Sequence, residues 1–265
     1  MTLLLNAGYH LLVYLFILAV VIFIHEMGHY LACKKLGIEV ESFALGFGPV
    51  LYSFNYWNTE FSLRAIPLGG FIKPAGIDKS PSESSSDEYF GKAWYKRLLV
   101  AYAGPLMNFV LAFVIFVGLV FIKDSRPQTL ANTSTNISHS VTLSSRICWY
   151  QISQTYLIIS SKLGQHQNPG LMGPIGIFQA VSQAASSWVE IFSMMAAISI
   201  AIGLFNILPI PLLDGGFAVL FLWEGLTGKF PSKTVVFVWQ VLGIAFLGSI
   251  LLLATVGDLG RLLHP

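Results

Sequence analysis

The chain has 265 residues, of which 55% are hydrophobic and only 11% charged, and its net charge is +2. A water-soluble domain carries about a quarter charged residues, so the composition points to lipid as the main solvent, and the net charge is too small to suggest a nucleic-acid-binding surface. The two cysteines, Cys33 and Cys148, form no CxxC pair and no disulfide framework, which leaves redox chemistry without support.

In chain order, the first element is the unbroken apolar run Leu11–Ile24, which continues directly into His25 and Glu26. With the uncharged residues before it, the helix reaches the roughly 20 residues that a bilayer demands. It lacks the basic start and small-residue cleavage site of a signal peptide. Next, Gly46-Phe47-Gly48-Pro49 reads as a turn, and Val50–Phe54 and Phe61–Ile66 read as the two strands of a hairpin closed by Pro67 and Gly69-Gly70. The apolar character of this hairpin suits the edge of a bilayer. Asp78–Glu88, rich in Ser, reads as a linker. Leu98–Ile122 is a second charge-free span, followed by the polar linker Asp124–Ser145 and by Ile147–Leu163, whose helical spacing predicts a surface helix on the outer leaflet. Pro169–Gly176 breaks the chain before the spans Ile191–Leu213 and Thr234–Gly257. The fold class expected is an α-helical polytopic membrane protein, with four transmembrane helices and a membrane-associated β-hairpin after the first.

Basic residues set the expected orientation. Lys34 to Arg97 holds eight Lys or Arg, and Lys229 and Lys233 lie in the loop between the last two spans. The other side holds Lys123, Arg126, Arg146, Lys162 and Arg261. Positive charge accumulates on the cytoplasmic side, so both termini are expected outside.

His25-Glu26-Met27-Gly28-His29 carries the chemistry. Residues four apart share one face of a helix, so the two imidazoles can grip a single ion with Glu26 beside them. Zinc favours imidazole nitrogen, and a catalytic site keeps one position open for water. Glu26 would take the proton of that water and later pass it to the leaving amine. The motif follows fourteen apolar residues, at a depth where ionisable groups are costly and usually functional.

Two imidazoles need a third ligand. Cys33 lies on the same stripe but about a turn too far along the axis, and reads as a buried small residue. His10, His139, His166 and His264 read as ordinary surface or interface residues. Asp214 is the better candidate, because it ends a charge-free run and needs a partner there. Pro209 and Pro211 prevent a regular helix before it, and Gly215-Gly216 permit unwinding after it. Glu190, Glu224 and Asp258 lie near span ends and read as interfacial.

His25-Glu26-x-x-His29 at the end of a first span, with Asn206-x-x-Pro209-x-x-x-Leu213-Asp214-Gly215 in a later one, resembles the site-2 protease family of intramembrane zinc proteases. Similar too are Phe47-Gly48-Pro49, Pro67-Leu68-Gly69-Gly70-Phe71-Ile72-Lys73, Ala103-Gly104-Pro105-x-x-Asn108-Phe109 and Gly173-Pro174-Ile175-Gly176, which look closest to the bacterial regulator-of-sigma-E protease branch. The resemblance implies a Zn2+ cofactor held by His25, His29 and Asp214, with Glu26 as general base. Asn206 matches a family Asn that helps hold substrate or the transition-state oxygen, and Asn108 is a weaker candidate for a similar polar role. The hairpin Val50–Ile72 looks like the family's membrane-associated β element, whose edge can take an unwound substrate segment as an added strand.

Also implied are a bacterial inner-membrane location, an active site towards the cytoplasm, and a transmembrane-helix substrate such as an anti-sigma factor or remnant signal peptide. An upstream site-1-type protease often trims such substrates first. The branch usually carries one or two PDZ domains after the second span. Here Lys123 to Arg146 is far below domain size. The expected organisation is therefore residues 1–122 as the first half of a protease core, 123–146 as an outer linker, and 147–265 as the second half. Two other readings stand beside the protease: a membrane zinc carrier or sensor using the same cluster, and an inactive scaffold that binds helices.

Overall fold

The computed structural model describes residues 2–79, 83–124, 133–164 and 172–263. Arg126, His166, His264 and the start of the expected break at Pro169 lie outside the described residues. Among the described residues, seven helices and two strands follow in the order α1 (Thr2–Lys35), β1 (Val40–Tyr56), β2 (Thr59–Pro74), α2 (Trp94–Asp124), α3 (Thr133–Gly164), α4 (Pro174–Ala184), α5 (Trp188–Ile207), α6 (Asp214–Thr227) and α7 (Lys233–Leu263). Four helical stretches among the described residues are long and apolar enough to cross a membrane: Leu5–Lys35, Trp94–Ile122, Trp188–Ile207 and Lys233–Leu263. They correspond to the four spans expected. The third is shorter than expected, since α5 stops at Ile207 and the chain turns before α6 begins at Asp214.

Two compact units divide the chain, each assembled from separated stretches. The first comprises Met1–Ile17, Phe109–Leu204 and Gly248–Pro265. Its core joins Ala112 and Phe116 of α2 to Ala196 and Ile200 of α5, with Ile147, Cys148 and Ile152 of α3 packed against them. Helix α3 starts at Thr133, inside the stretch expected to be a polar linker from its Ser and Thr content. Two of those hydroxyls turn back onto the helix: Thr142 donates to Ser138 O and Ser145 to Thr142 O, each within 2.8 Å.

Asp258 also departs from its expected interfacial place. Its carboxylate is buried and accepts the backbone N–H groups of Gly173 and Gly176, at 3.2 and 2.8 Å, and a hydrogen bond from Arg261 at 2.7 Å. A helix N-terminus leaves donors without intrahelical partners, and this side chain from α7 satisfies two of them at the start of α4.

The second unit comprises Leu18–Asn108 and Phe205–Leu247. Its strands are longer than the hairpin expected. Residues Trp57 and Asn58, both at positive φ, form the two-residue turn. Gly46 and Gly48 have φ of +87° and +81° and lie within β1, where they bend the strand without ending it. A side chain at Gly46 would strike the carbonyl of Ile66. Because the strand continues through this bend, Leu45 pairs with both Leu63 and Gly70, and Ser62 with both Ala44 and Ser53. The two strands thus make four laddered segments with residues 50–56 and 70–74 at the edges. Leu51, Tyr52, Tyr56 and Trp57 on the first edge are exposed.

Tyr30, Phe43, Tyr89 and Phe221 lie in the core of this unit. Arg97 is buried there too, its guanidinium held by both carboxylate oxygens of Glu224 at 2.6 and 2.7 Å and flanked by the rings of Phe90, Phe221 and Phe230. Glu224, expected at the interface, is therefore an ion-pair partner of the core.

Candidate metal centre

All parts of the centre belong to the second unit. Helix α1 presents His25 and His29 on one face, and their Nε2 atoms approach to 3.3 Å. Asp214, the first residue of α6, places Oδ2 3.1 Å from His25 Nε2 and Oδ1 3.3 Å from His29 Nε2. Among the described residues, His25, His29 and Asp214 form the one cluster of His, Cys, Asp or Glu with metal-ligand spacing. Cys33 is fully buried in the core of the unit and stands outside that cluster.

The turn before Asp214 aims its carboxylate. Leu213 N donates to Ile210 O across Pro211 and Leu212, with Leu212 at φ +73°. Proline followed by a positive φ is the signature of a type II turn. Gly215 and Gly216 lie within the first turn of α6, so the helix begins at Asp214 where unwinding after it was expected. A side chain on either would collide with the carbonyl oxygens of Leu208 or Ile210. Their role is close backbone approach. Helix α7 supports the same turn: Trp239 Nε1 donates to Gly216 O at 3.3 Å, and Gly243 leaves room for Pro211.

Helix α2 fixes the imidazoles. His29 Nδ1 lies 2.8 Å from Val100 O, so it donates there and keeps its Nε2 lone pair facing Asp214. Pro105, inside α2, has no N–H to donate to the turn before it. Gly28 and Gly104 let the two helices meet: a side chain at Gly28 would strike the Ala103 carbonyl, and one at Gly104 would strike the His29 ring. The sequence alone assigns no role to Val100, Gly104 or Gly28, although Gly104 lies inside a block that resembles the family.

Glu26 sits beside the cluster, half-buried, and takes a backbone hydrogen bond from Ile72 on the inner edge of the sheet. It stands outside the cluster of His25, His29 and Asp214. Asn206 is half-buried on the last turn of α5, just before the 208–213 turn.

The donors fit zinc. Bonds of 2.0–2.2 Å in a tetrahedral arrangement separate neighbouring ligand atoms by roughly 3.3 Å; the two imidazole nitrogens are 3.3 Å apart, and each has its own Asp214 oxygen beside it, Oδ2 at 3.1 Å from His25 and Oδ1 at 3.3 Å from His29. Asp214 Oδ2 is buried and receives no hydrogen bond of good geometry, a costly state that a cation relieves.

Fold and cluster together define a class: a multi-helix membrane protein with a buried two-His, one-carboxylate site. Residues 13–250 match Peptidase family M50, and the chain belongs to that family, the site-2 protease family. It is 28% identical to a protein of Clostridium acetobutylicum over 323 aligned positions, covering 90% of this chain and 94% of the relative. A protein of Campylobacter jejuni is 24% identical over 93% of this chain and 92% of its own length. One from Chlamydia trachomatis is 36% identical over 43% of this chain, which is 20% of the relative. All three bear the name "Putative zinc metalloprotease". The stretch of 323 positions exceeds the 265 residues of the whole chain, so the Clostridium protein carries inserted residues that this chain lacks. The protein is thus a membrane metalloprotease of a zinc-dependent family.

Proposed function

We propose that the protein hydrolyses peptide bonds within or near transmembrane segments of other membrane proteins, with zinc held by His25, His29 and Asp214. The observation that carries this reading is the convergence of two imidazole nitrogens and one carboxylate, 3.1 to 3.3 Å apart, next to a carboxylate that ligates nothing.

When bound, zinc supplies Lewis acidity, polarising the scissile carbonyl and making water acidic enough to lose a proton near neutral pH. Glu26 accepts that proton as the water oxygen bonds to the carbonyl carbon. It then returns the proton to the amide nitrogen as the C–N bond breaks. The products are a new carboxylate and a new amine. Asn206, at the end of α5, contributes a hydrogen bond to substrate or to the developing oxyanion.

A helical peptide bond is shielded by its own hydrogen bonds, so a substrate must be stretched open before attack. The sheet edge at residues 70–74 borders Glu26 through Ile72 and suits an added substrate strand. Exposed Leu51, Tyr52, Tyr56 and Trp57 on the opposite edge suit contact with lipid.

In this reading the protein is a regulator-of-sigma-E-type enzyme without PDZ domains. Residues 1–122 and 147–265 supply the two parts of its core. It resides in the bacterial inner membrane with both termini outside and the site facing the cytoplasm. Anti-sigma factors or remnant signal peptides, trimmed first by a site-1-type protease, are its substrates.

The test uses the purified protein in detergent with a fluorescent transmembrane-helix substrate. Glu26→Gln is expected to retain zinc and lose cleavage. Persistent cleavage would remove Glu26 from the mechanism. A carrier, by contrast, would keep full zinc transport in that variant.

A further inference from the structure

Each imidazole can offer Nε2 to a cation only if its proton sits on Nδ1. For His29 the partner that holds this proton is the Val100 carbonyl, which can only accept. For His25 the group facing Nδ1 is the side-chain amide of Asn108 on α2, placed with its Nδ2 end at 3.2 Å. Asn108 is fully buried, in a helix that is otherwise apolar at this depth, and it touches the outer nitrogen of the one ligand that lacks a backbone acceptor.

An amide can present either end, and the two ends select opposite tautomers. Its NH2 would donate to Nδ1 and drive the ring proton to Nε2, where it would point at His29 Nε2 and repel a cation. Its carbonyl would accept Nδ1–H and leave the Nε2 lone pair free. A half-turn about the terminal C–C bond exchanges the two ends while the rest of the side chain stays in place.

We infer that Asn108 is a positioning residue for the metal: with Oδ1 turned to the ring it accepts His25 Nδ1–H and holds that imidazole in its zinc-binding tautomer. The inference rests on the reading of His25, His29 and Asp214 as the zinc site. Helix α2 then serves both histidines, one through its backbone at Val100 and one through a side chain at Asn108. Outer partners of this kind typically govern metal affinity by 10- to 100-fold.

The experiment compares zinc affinity, by competition with a chelating dye at fixed pH, for the full-length wild type, Asn108→Asp, Asn108→Leu and His25→Ala. Asp can only accept, and Leu matches the shape of Asn without any polar atom. Asn108→Leu is expected to bind zinc about 10- to 100-fold more weakly, while Asn108→Asp stays close to wild type. If Asn108→Leu binds as wild type does, or if Asn108→Asp loses as much as Asn108→Leu, the inference is overturned. Should Asn108→Leu fail to fold, Asn108→Asp decides alone: retained affinity upholds the acceptor role and lost affinity removes it. His25→Ala separates the two levels, since wild-type affinity in that variant would sink the zinc-site reading itself.

Discussion

Gly104 lies against the His29 imidazole with no room for a methyl group between them: a Cβ at that position would overlap Nε2, Cε1 and Cδ2 of the ring. Only a residue without a side chain lets α2 approach a metal-ligand candidate so closely while Val100 O, one turn earlier, accepts the ring's Nδ1–H.

Gly104→Ala should therefore displace His29. Ala is the better helix former by about 1 kcal/mol, so without a clash the variant would gain thermal stability and keep its zinc. The expected result is the reverse: reduced zinc content and a loss of cleavage of about tenfold or more, since small displacements of reacting groups are costly. Zinc analysis and the helix-cleavage assay on one preparation check both.

Leu212 offers a second lever. Its φ of +73° is unusual for any residue but glycine and most costly for a β-branched one. Leu212→Val should lose about 1–2 kcal/mol of stability and lower activity, because this turn aims Asp214. Leu212→Asn, which tolerates the left-handed region, should stay near wild type in thermal melts.

The Arg97–Glu224 pair is buried on the Arg side, at 1% exposure. Removing one partner leaves an uncompensated charge, so Glu224→Met or Arg97→Met alone should cost about 3–5 kcal/mol. The double variant Arg97→Met, Glu224→Met should recover most of that loss, because desolvation of the pair offsets its attraction. Melting of the four proteins in one detergent gives the coupling directly.

Asp258 belongs to the unit without the metal-site residues. Asp258→Ala strips two backbone N–H groups of α4 of their acceptor and should cost about 1–3 kcal/mol. Asp258→Asn, still an acceptor, should cost less. Zinc affinity of either variant, measured at a temperature where both remain folded, should match wild type.

Much of this is legible in the sequence, for identifiable physical reasons. The four spans stand out because charge-free runs of this length are rarely stable outside lipid. His25, Glu26 and His29 stand out because one helix turn fixes their spacing, and Asp214 because it is a lone carboxylate after an apolar run. The full length of the strands is hidden, since Gly46, Gly48 and Gly69-Gly70 look like breakers, whereas positive φ at Gly46 and Gly48 lets β1 bend and go on pairing. The helix over residues 133–145 is hidden as well. Ser and Thr are poor helix formers, and it is the packing of Ile147, Cys148 and Ile152 further along α3 that overrides this local preference. The caps and clasps at Asp258, Glu224 and Val100 depend on partners far away in the chain, and no local pattern encodes them.

The central claim is that residues nearly two hundred positions apart close around one zinc ion. Bound zinc per chain in purified Asp214→Ala, beside the wild type, tests it most directly. One equivalent in the wild type and a small fraction of one in the variant is the expected result. Equal, stoichiometric zinc in both would mean that Asp214 is not a ligand, and the account would be wrong at its base.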